Sequence, residues 1–424
     1  MKSSWKLTSL GMVLLILSSC TNLAVPTSDQ KTAAGLQSET ESPIGGGTAG
    51  DVLPLSSDNL ATEPVSVPHP SDPFVSDLVL FYIPVSSDLA SVPADVGQGD
   101  AAIPEPVVRQ FKAEYERALV SFVPLAGVLG ADRLHRWTNK KGDGSTVTAL
   151  VQNWKSTIPL PNGYGLPQLI LAMDGSDGGP VYCIIPPILD LYSQNRGIGR
   201  AAGLAGYGKP MTGSFLMRDG ESYVYAQRFS EALLYGSLDA QGKSSGKSFL
   251  EPAPSLSAIP PSAVGLLPDG TKSEAFVRTW SQALDRGLPS GSTGNPDGSV
   301  ATLLLTELDN QTILFQSFDQ GRWVIIQTSR DNGEPILITS PFIELFVTGQ
   351  KDIASALAKA FSLYGVPVSD SYALPLAYVL QNPEIKTAIA GRITNEHPYI
   401  PLLVQRFQRG LWVAVAKGAV PKAD

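Results

Sequence analysis

Cysteine is almost missing from this chain: Cys20 and Cys183 are the only two in 424 residues. Two cysteines cannot build a disulfide framework, so stability must come from a buried core. Cys183 sits in the apolar run Val181-Tyr182-Cys183-Ile184-Ile185, a setting for a buried structural thiol and not for a reactive thiolate. Histidine is equally scarce, and His69, His135 and His397 share no metal-ligand spacing. No metal and no cofactor are therefore expected. Charged residues make up only 17%, and the formal net charge of -8 leaves no general basic face for nucleic acid. The chain holds no His-Glu-x-x-His and no Walker loop. Asp174-Gly175-Ser176-Asp177-Gly178 approaches a nucleophile elbow, but it reads as a hairpin, because an elbow needs a strand leading into a helix. Asp143-Gly144 and Asp297-Gly298 read as turns, since a calcium loop needs more oxygens at set positions. The apolar run at 11–17 is far short of the roughly 20 residues that span a bilayer.

What is present begins at the N-terminus. Lys2 and Lys6 precede that short apolar run, and Leu17-Ser18-Ser19-Cys20 closes it. A basic start, a short apolar middle and small residues before a cut mark a cleaved signal peptide at 1–19. The closing tetrapeptide resembles the bacterial lipobox. That resemblance implies a diacylglycerol-modified, acylated Cys20 and a protein tethered outside the cytoplasm, at the cell membrane or the outer membrane; Thr21 leans toward the latter. Residues 20–72 are dense in Ser, Thr, Pro, Gly and Ala and have no aromatic residue. Such a stalk cannot bury enough apolar surface to order itself. As a coil it would span on the order of 40 Å.

The remainder, rich in Val, Thr, Leu, Gly and Pro, predicts an α+β fold with strands and many turns. The unbroken apolar run at 78–83 predicts a buried strand. Helical spacing over 107–120 places Val107, Phe111 and Tyr115 on one face, with Arg109, Lys112, Glu114 and Glu116 opposite. Four anchors then recur in order. Asp143-Gly144-Ser145 returns as Asp297-Gly298-Ser299, and Gly178-Gly179-Pro180 with its apolar run as Gly333-Glu334-Pro335 with another. Tyr207-Gly208-Lys209-Pro210 returns as Tyr364-Gly365-Val366-Pro367, and Gln227-Arg228-Phe229 as Gln405-Arg406-Phe407. Ordered recurrence predicts two tandem duplicated modules, each a small antiparallel sheet with flanking helices, at 73–240 and 271–424. The second gains a stretch around 374–401. Helices are expected at 187–194, 273–286 and 341–363. A Pro-rich linker at 241–270 is expected to run extended between the modules.

The Tyr-Gly-x-Pro turn with its later Gln-x-Phe strand resembles the Leu-Gly-Phe-Pro repeat of bacterial surface proteins, which implies association with the envelope. Tyr stands where that repeat has Leu, and Ala232 where it has Gly. The candidate binding residues are Tyr207, Gln227, Arg228, Tyr364, Gln405, Arg406 and Trp412. Arg228 and Arg406 alternate with the Phe and are expected to face outward, where a guanidinium could hold a carboxylate or stack on a sugar. The expected function is that of a lipid-anchored, non-catalytic binding or scaffolding protein for a wall polymer or an envelope protein. The alternative is an envelope hydrolase with a site between the modules.

Overall fold

The computed structural model describes residues 77–419 except for 86–98, 100–102, 121–124, 129–132, 157–167, 175–179, 195–203, 205, 289–291, 329–333, 349, 351 and 394–396. Cys20, the signal peptide and the stalk lie outside the described residues, as does most of the hairpin turn expected at 174–178.

The described residues form a mixed α+β structure built on four small antiparallel sheets. The first contains β2 (Leu125–Val128), β4 (Thr146–Ser156), β5 (Gln168–Asp174) and β6 (Tyr182–Ile184) in that order, with β3 (His135–Lys140) also paired to β4. The second has the order β10 (Ser244–Leu250), β9 (Ala232–Leu238), β8 (Ser222–Arg228), β7 (Phe215–Asp219). The third runs β11 (Ala301–Leu305), β12 (Gln311–Phe318), β13 (Trp323–Thr328), β14 (Ile336–Ile338). The fourth runs β1 (Leu78–Pro84), β17 (Gly410–Ala416), β16 (Pro401–Phe407), β15 (Tyr372–Pro375). A single buried cluster threads all four sheets, including Val151, Ile184, Tyr225, Leu234, Val324 and Leu403.

β1 is a strand, as its apolar run predicts, but only Leu78 and Ile83 are buried, residues 79–82 are half-buried, and it lies in the fourth sheet. Leu78 pairs with Ala416 and Pro84 with Gly410, in continuous antiparallel register. A strand from the stretch assigned to the first module thus completes the sheet of the last residues. Its counterpart in the second sheet, β10, arrives directly after β9 by a short turn and pairs Ser244 with Leu238 through Leu250 with Ala232. Residues 244–250 are therefore a strand and not the start of an extended linker. The chain beyond them stays attached, because the Glu251 and Ala253 amides donate to the carbonyls of Glu231 (3.0 Å) and Ser230 (3.0 Å).

Helix α1 (Glu105–Val120) and helix α2 (Ile188–Gln194) occur where spacing predicts them. Helix α3 (Glu274–Arg286) is capped by Ser273, whose hydroxyl accepts from the Phe276 amide at 3.4 Å. The single helix expected over 341–363 is two: α4 (Phe342–Val347) and α5 (Ile353–Tyr364). Thr348, at φ −57° and ψ 125°, leaves the helical region and ends α4. Asp352 then caps a fresh start, accepting from the Ala354 amide at 3.0 Å. An Asp with local amides to bind favours a cap over continued helix. The added stretch near 374–401 contains two short helices, α6 (Leu376–Val379) and α7 (Pro383–Ile389), with Leu376, Ile385 and Ile389 in the core.

Candidate functional site

The residues singled out by sequence are found at two equivalent-looking places and not at one. Gln227 Nε2 donates to the carbonyls of Cys183 (3.1 Å) and Thr212 (2.7 Å). Gln405 Nε2 donates to those of Leu337 (3.1 Å) and Ser369 (3.2 Å). Both glutamines are fully buried at 0% exposure. Each amide knits the edge of a short strand, β6 or β14, to the segment entering β7 or β15. The backbone amides of Arg228 and Arg406 donate to the hydroxyls of Thr212 and Ser369, both at 3.2–3.3 Å. Gly208 and Gly365 take positive φ of 79° and 75° and donate to the carbonyls of Leu204 and Phe361. A Cβ on Gly365 would come within 2.6 Å of Gln408 Cβ, and one on Gly208 would overlap Ser230. Glycine is required at both turns.

Arg228 and Arg406 do not face outward. Both are buried. Arg228 Nη1 lies 3.6 Å from Glu251, and Arg406 Nη2 donates to the Val85 carbonyl at 3.3 Å. Burial lowers the pKa of each. Alternation does not foresee this, because the segments that follow β10 and β1 reach the two side chains, through Glu251 and Val85. Tyr207 packs near Tyr192, which stacks on Phe229 at 4.9 Å. Tyr364 and Trp412 pack with Tyr82 at centroid distances of 4.7–5.4 Å. Rings that close together fill one another's space and leave no slot between them. In the described residues, Tyr207, Tyr364 and Trp412 thus lie in aromatic clusters, and the guanidinium groups of Arg228 and Arg406 are covered by protein.

The seam between α1, α3 and β15 is different, and sequence reading passed over it. Glu114 had been placed on the solvent face of α1. It is 1% exposed, because α1 buries Phe111 and Tyr115 on one side and Glu114 on another. Glu114 Oε1 accepts from the Tyr372 hydroxyl at 3.4 Å, and Oε2 lies 3.2 Å from Arg117 Nη1. Burial pushes its carboxyl up to about 7; Asp370 adds to the rise, while Arg117, the Cys183 amide and the Tyr372 hydroxyl oppose it. Across the seam, Asp370 Oδ1 accepts from the Leu337 amide at 2.8 Å, and Oδ2 lies 3.7 Å from Arg286 Nη2. Arg286 Nη1 donates to the Ser371 carbonyl at 3.2 Å. A carboxylate thus meets the backbone of β6 from α1, and another meets β14 from the residues before β15. The sequence signal was weak: Gln110, Glu114 and Arg117 form a polar stripe at helical spacing beside the apolar face.

Two spaces adjoin this seam. A partly enclosed cavity of about 50 Å³ is lined by Glu114, Arg117, Thr279, Gln282, Glu334 and Asp370, among others. An open groove of about 990 Å³ runs along α1, past Arg109, Glu116, Gln311, Thr328 and Gln408. Gln110, Ala113, Arg117 and Glu334 line both, so the cavity opens into the groove. Nucleophiles near the seam are committed or inert. The Thr279 hydroxyl donates to the Ala275 carbonyl of its own helix at 3.1 Å. Burial, with a smaller effect of Glu114, holds the Cys183 thiol far above its ordinary pKa.

No family model matches the chain, and neither curated proteins nor solved structures give a significant similarity. Among the described residues, no helix is long and apolar enough to cross a membrane, and no group of His, Cys, Asp and Glu is placed to hold a metal ion.

Proposed function

We propose that this is a lipid-anchored, extracytoplasmic binding protein of the bacterial envelope, without catalytic activity, whose ligand lies in the groove along α1. Its partner is a wall polymer or an envelope protein. The anchor reading rests on the Leu17-Ser18-Ser19-Cys20 motif and the composition of 20–72. The Leu-Gly-Phe-Pro resemblance adds the envelope association. We also read the two halves as copies of one unit, on the strength of the matched Gln227/Gln405 and Gly208/Gly365 contacts.

The observation that carries the binding reading is the groove itself. It is large, and Arg109, Gln110, Glu116, Arg117, Gln311 and Glu334 make it polar on several sides. One observation favours the hydrolase alternative: Glu114, whose carboxyl burial pushes up to about 7, lines the same cavity as Asp370, and paired carboxyl groups serve some hydrolytic sites. The cavity they line is about 50 Å³, too small to seat a scissile bond with its flanking groups.

The test is retention of isolated wall polymer and of envelope extract by the mature protein and by Ala113→Trp. Ala113 is exposed on α1 at the mouth shared by groove and cavity. Retention by the wild type, reduced at least tenfold in the variant, is expected. No retention in either material by folded wild-type protein contradicts the reading.

A further inference from the structure

We propose that the cavity behind the groove is a receptor for a primary ammonium group, such as a lysine-type side chain or a free amino terminus, with the rest of the ligand lying in the groove. This rests on the binding reading above and names the chemistry that the site selects. The lining holds three carboxylates, from Glu114, Glu334 and Asp370, against one guanidinium, from Arg117. Glu334 and Asp370 have cationic partners outside the cavity: Arg278 reaches both Glu334 oxygens at 2.9 and 3.0 Å, and Arg286 lies 3.7 Å from Asp370. Glu114 is almost wholly buried. It is paired with Arg117 on its own helix at 3.2 Å, yet one of its oxygens, Oε2, is left without a hydrogen bond.

Size agrees with this occupant. A space of about 50 Å³ exceeds what a single water needs, about 10–15 Å³ on this measure, and suits a compact head group. An ammonium offers three donors in a small volume, whereas a guanidinium is planar and wider. The route in is the shared wall of Gln110, Ala113, Arg117 and Glu334, so the aliphatic stem of the ligand would run out along α1.

A proton balance follows. Glu114 is faced by Arg117 on its own helix, by Asp370 and Tyr372 from around β15 and by the Cys183 amide from β6. Its raised pKa means that the cluster carries a proton over much of the acidic range. An entering ammonium replaces that proton, which leaves to solvent as Glu114 ionises. Affinity for the cation should then rise as pH increases toward 7 and level off above it, by roughly tenfold per pH unit below the midpoint for one linked proton.

The experiment uses the mature full-length chain and ligand-observed saturation-transfer NMR, with n-butylammonium, n-butyrate and n-butanol as probes. Saturable binding of butylammonium is expected at pH 8, with a Kd on the order of 1 mM for so small a probe. It should weaken at least tenfold at pH 5.5, and neither butyrate nor butanol should compete. Glu114→Gln should weaken butylammonium at pH 8 at least tenfold. Gln282→Phe, which fills the cavity without removing a charge, should do the same with an unchanged melting temperature, and it decides the matter should Glu114→Gln fail to fold. No saturable binding of butylammonium, equal binding of butyrate, or full affinity in Gln282→Phe would overturn the proposal. Envelope material retained by a protein that ignores butylammonium would remove this inference and leave the binding reading standing. Absence of both would remove both.

Discussion

The two halves of the molecule each hold a buried glutamine clamp and a positive-φ glycine turn but close their sheets differently. β10 reaches β9 through a short turn, while β1 reaches β17 from the opposite end of the chain. In register, Ile83 stands opposite Leu411 as Phe249 stands opposite Leu233. Ile83 is fully buried, whereas Phe249 is only partly covered. The difference teaches that two edge strands in similar places need not carry similar loads. The borrowed strand is the more deeply embedded of the two, so the C-terminal half depends on residues at the far end of the sequence.

The sharpest way to break that comparison is truncation at the matched positions. Ile83→Ala should cost about 3–5 kcal/mol, in the range for a fully buried aliphatic side chain, while Phe249→Ala should cost about 1 kcal/mol. Equilibrium urea unfolding measures both. Equal losses would show that β1 and β10 contribute alike and would undo the contrast.

A second asymmetry lies in the carboxylates that meet the two short strands. Glu114 has a pKa raised to about 7, so its folded-state proton is held more tightly than in the unfolded chain. The sign is then fixed: its contribution is most favourable below the ordinary carboxylate range and is lost as pH rises through about 7. Wild-type stability, relative to Glu114→Gln, should fall by on the order of 2–3 kcal/mol between pH 4.5 and pH 8. A flat difference across that window would show that the seam is wet.

Much of the fold was legible in the sequence, for reasons that were local. Ser273 before an amphipathic run marks the start of α3, and the apolar run at 78–83 marks β1. The clamps were partly legible too, since Gly208, Gly365, Gln227 and Gln405 stand in the recurring motifs. What the motifs could not say is which way the side chains face. Arg228 and Arg406 are buried and meet Glu251 and Val85, and neither neighbour is visible from strand alternation. The break between α4 and α5 turns on one capping Asp352. The burial of Glu114 was illegible for the same long-range reason: it takes β6 and β15 to cover a polar stripe that α1 alone would leave in water.

Where the halves agree, matched substitutions should give matched results. Gln227→Leu and Gln405→Leu each remove the donors to two buried carbonyls. Each should cost about 2 kcal/mol, equal within about 0.5 kcal/mol, in the same unfolding assay. A large inequality would show that the two clamps are alike in geometry only. The smallest effect is expected at Arg278. Its pair with Glu334 is solvent-exposed on both sides, and Arg278→Ala should change stability by less than about 1 kcal/mol.

The most direct test of the account is a hydrogen–deuterium exchange footprint of the mature chain, with and without the envelope material that it retains. Added protection should concentrate at 105–117 and 334–336, which border the groove. Protection confined to 225–235 and 405–412, with α1 unchanged, would move the binding surface to the arginine-bearing strands and contradict it.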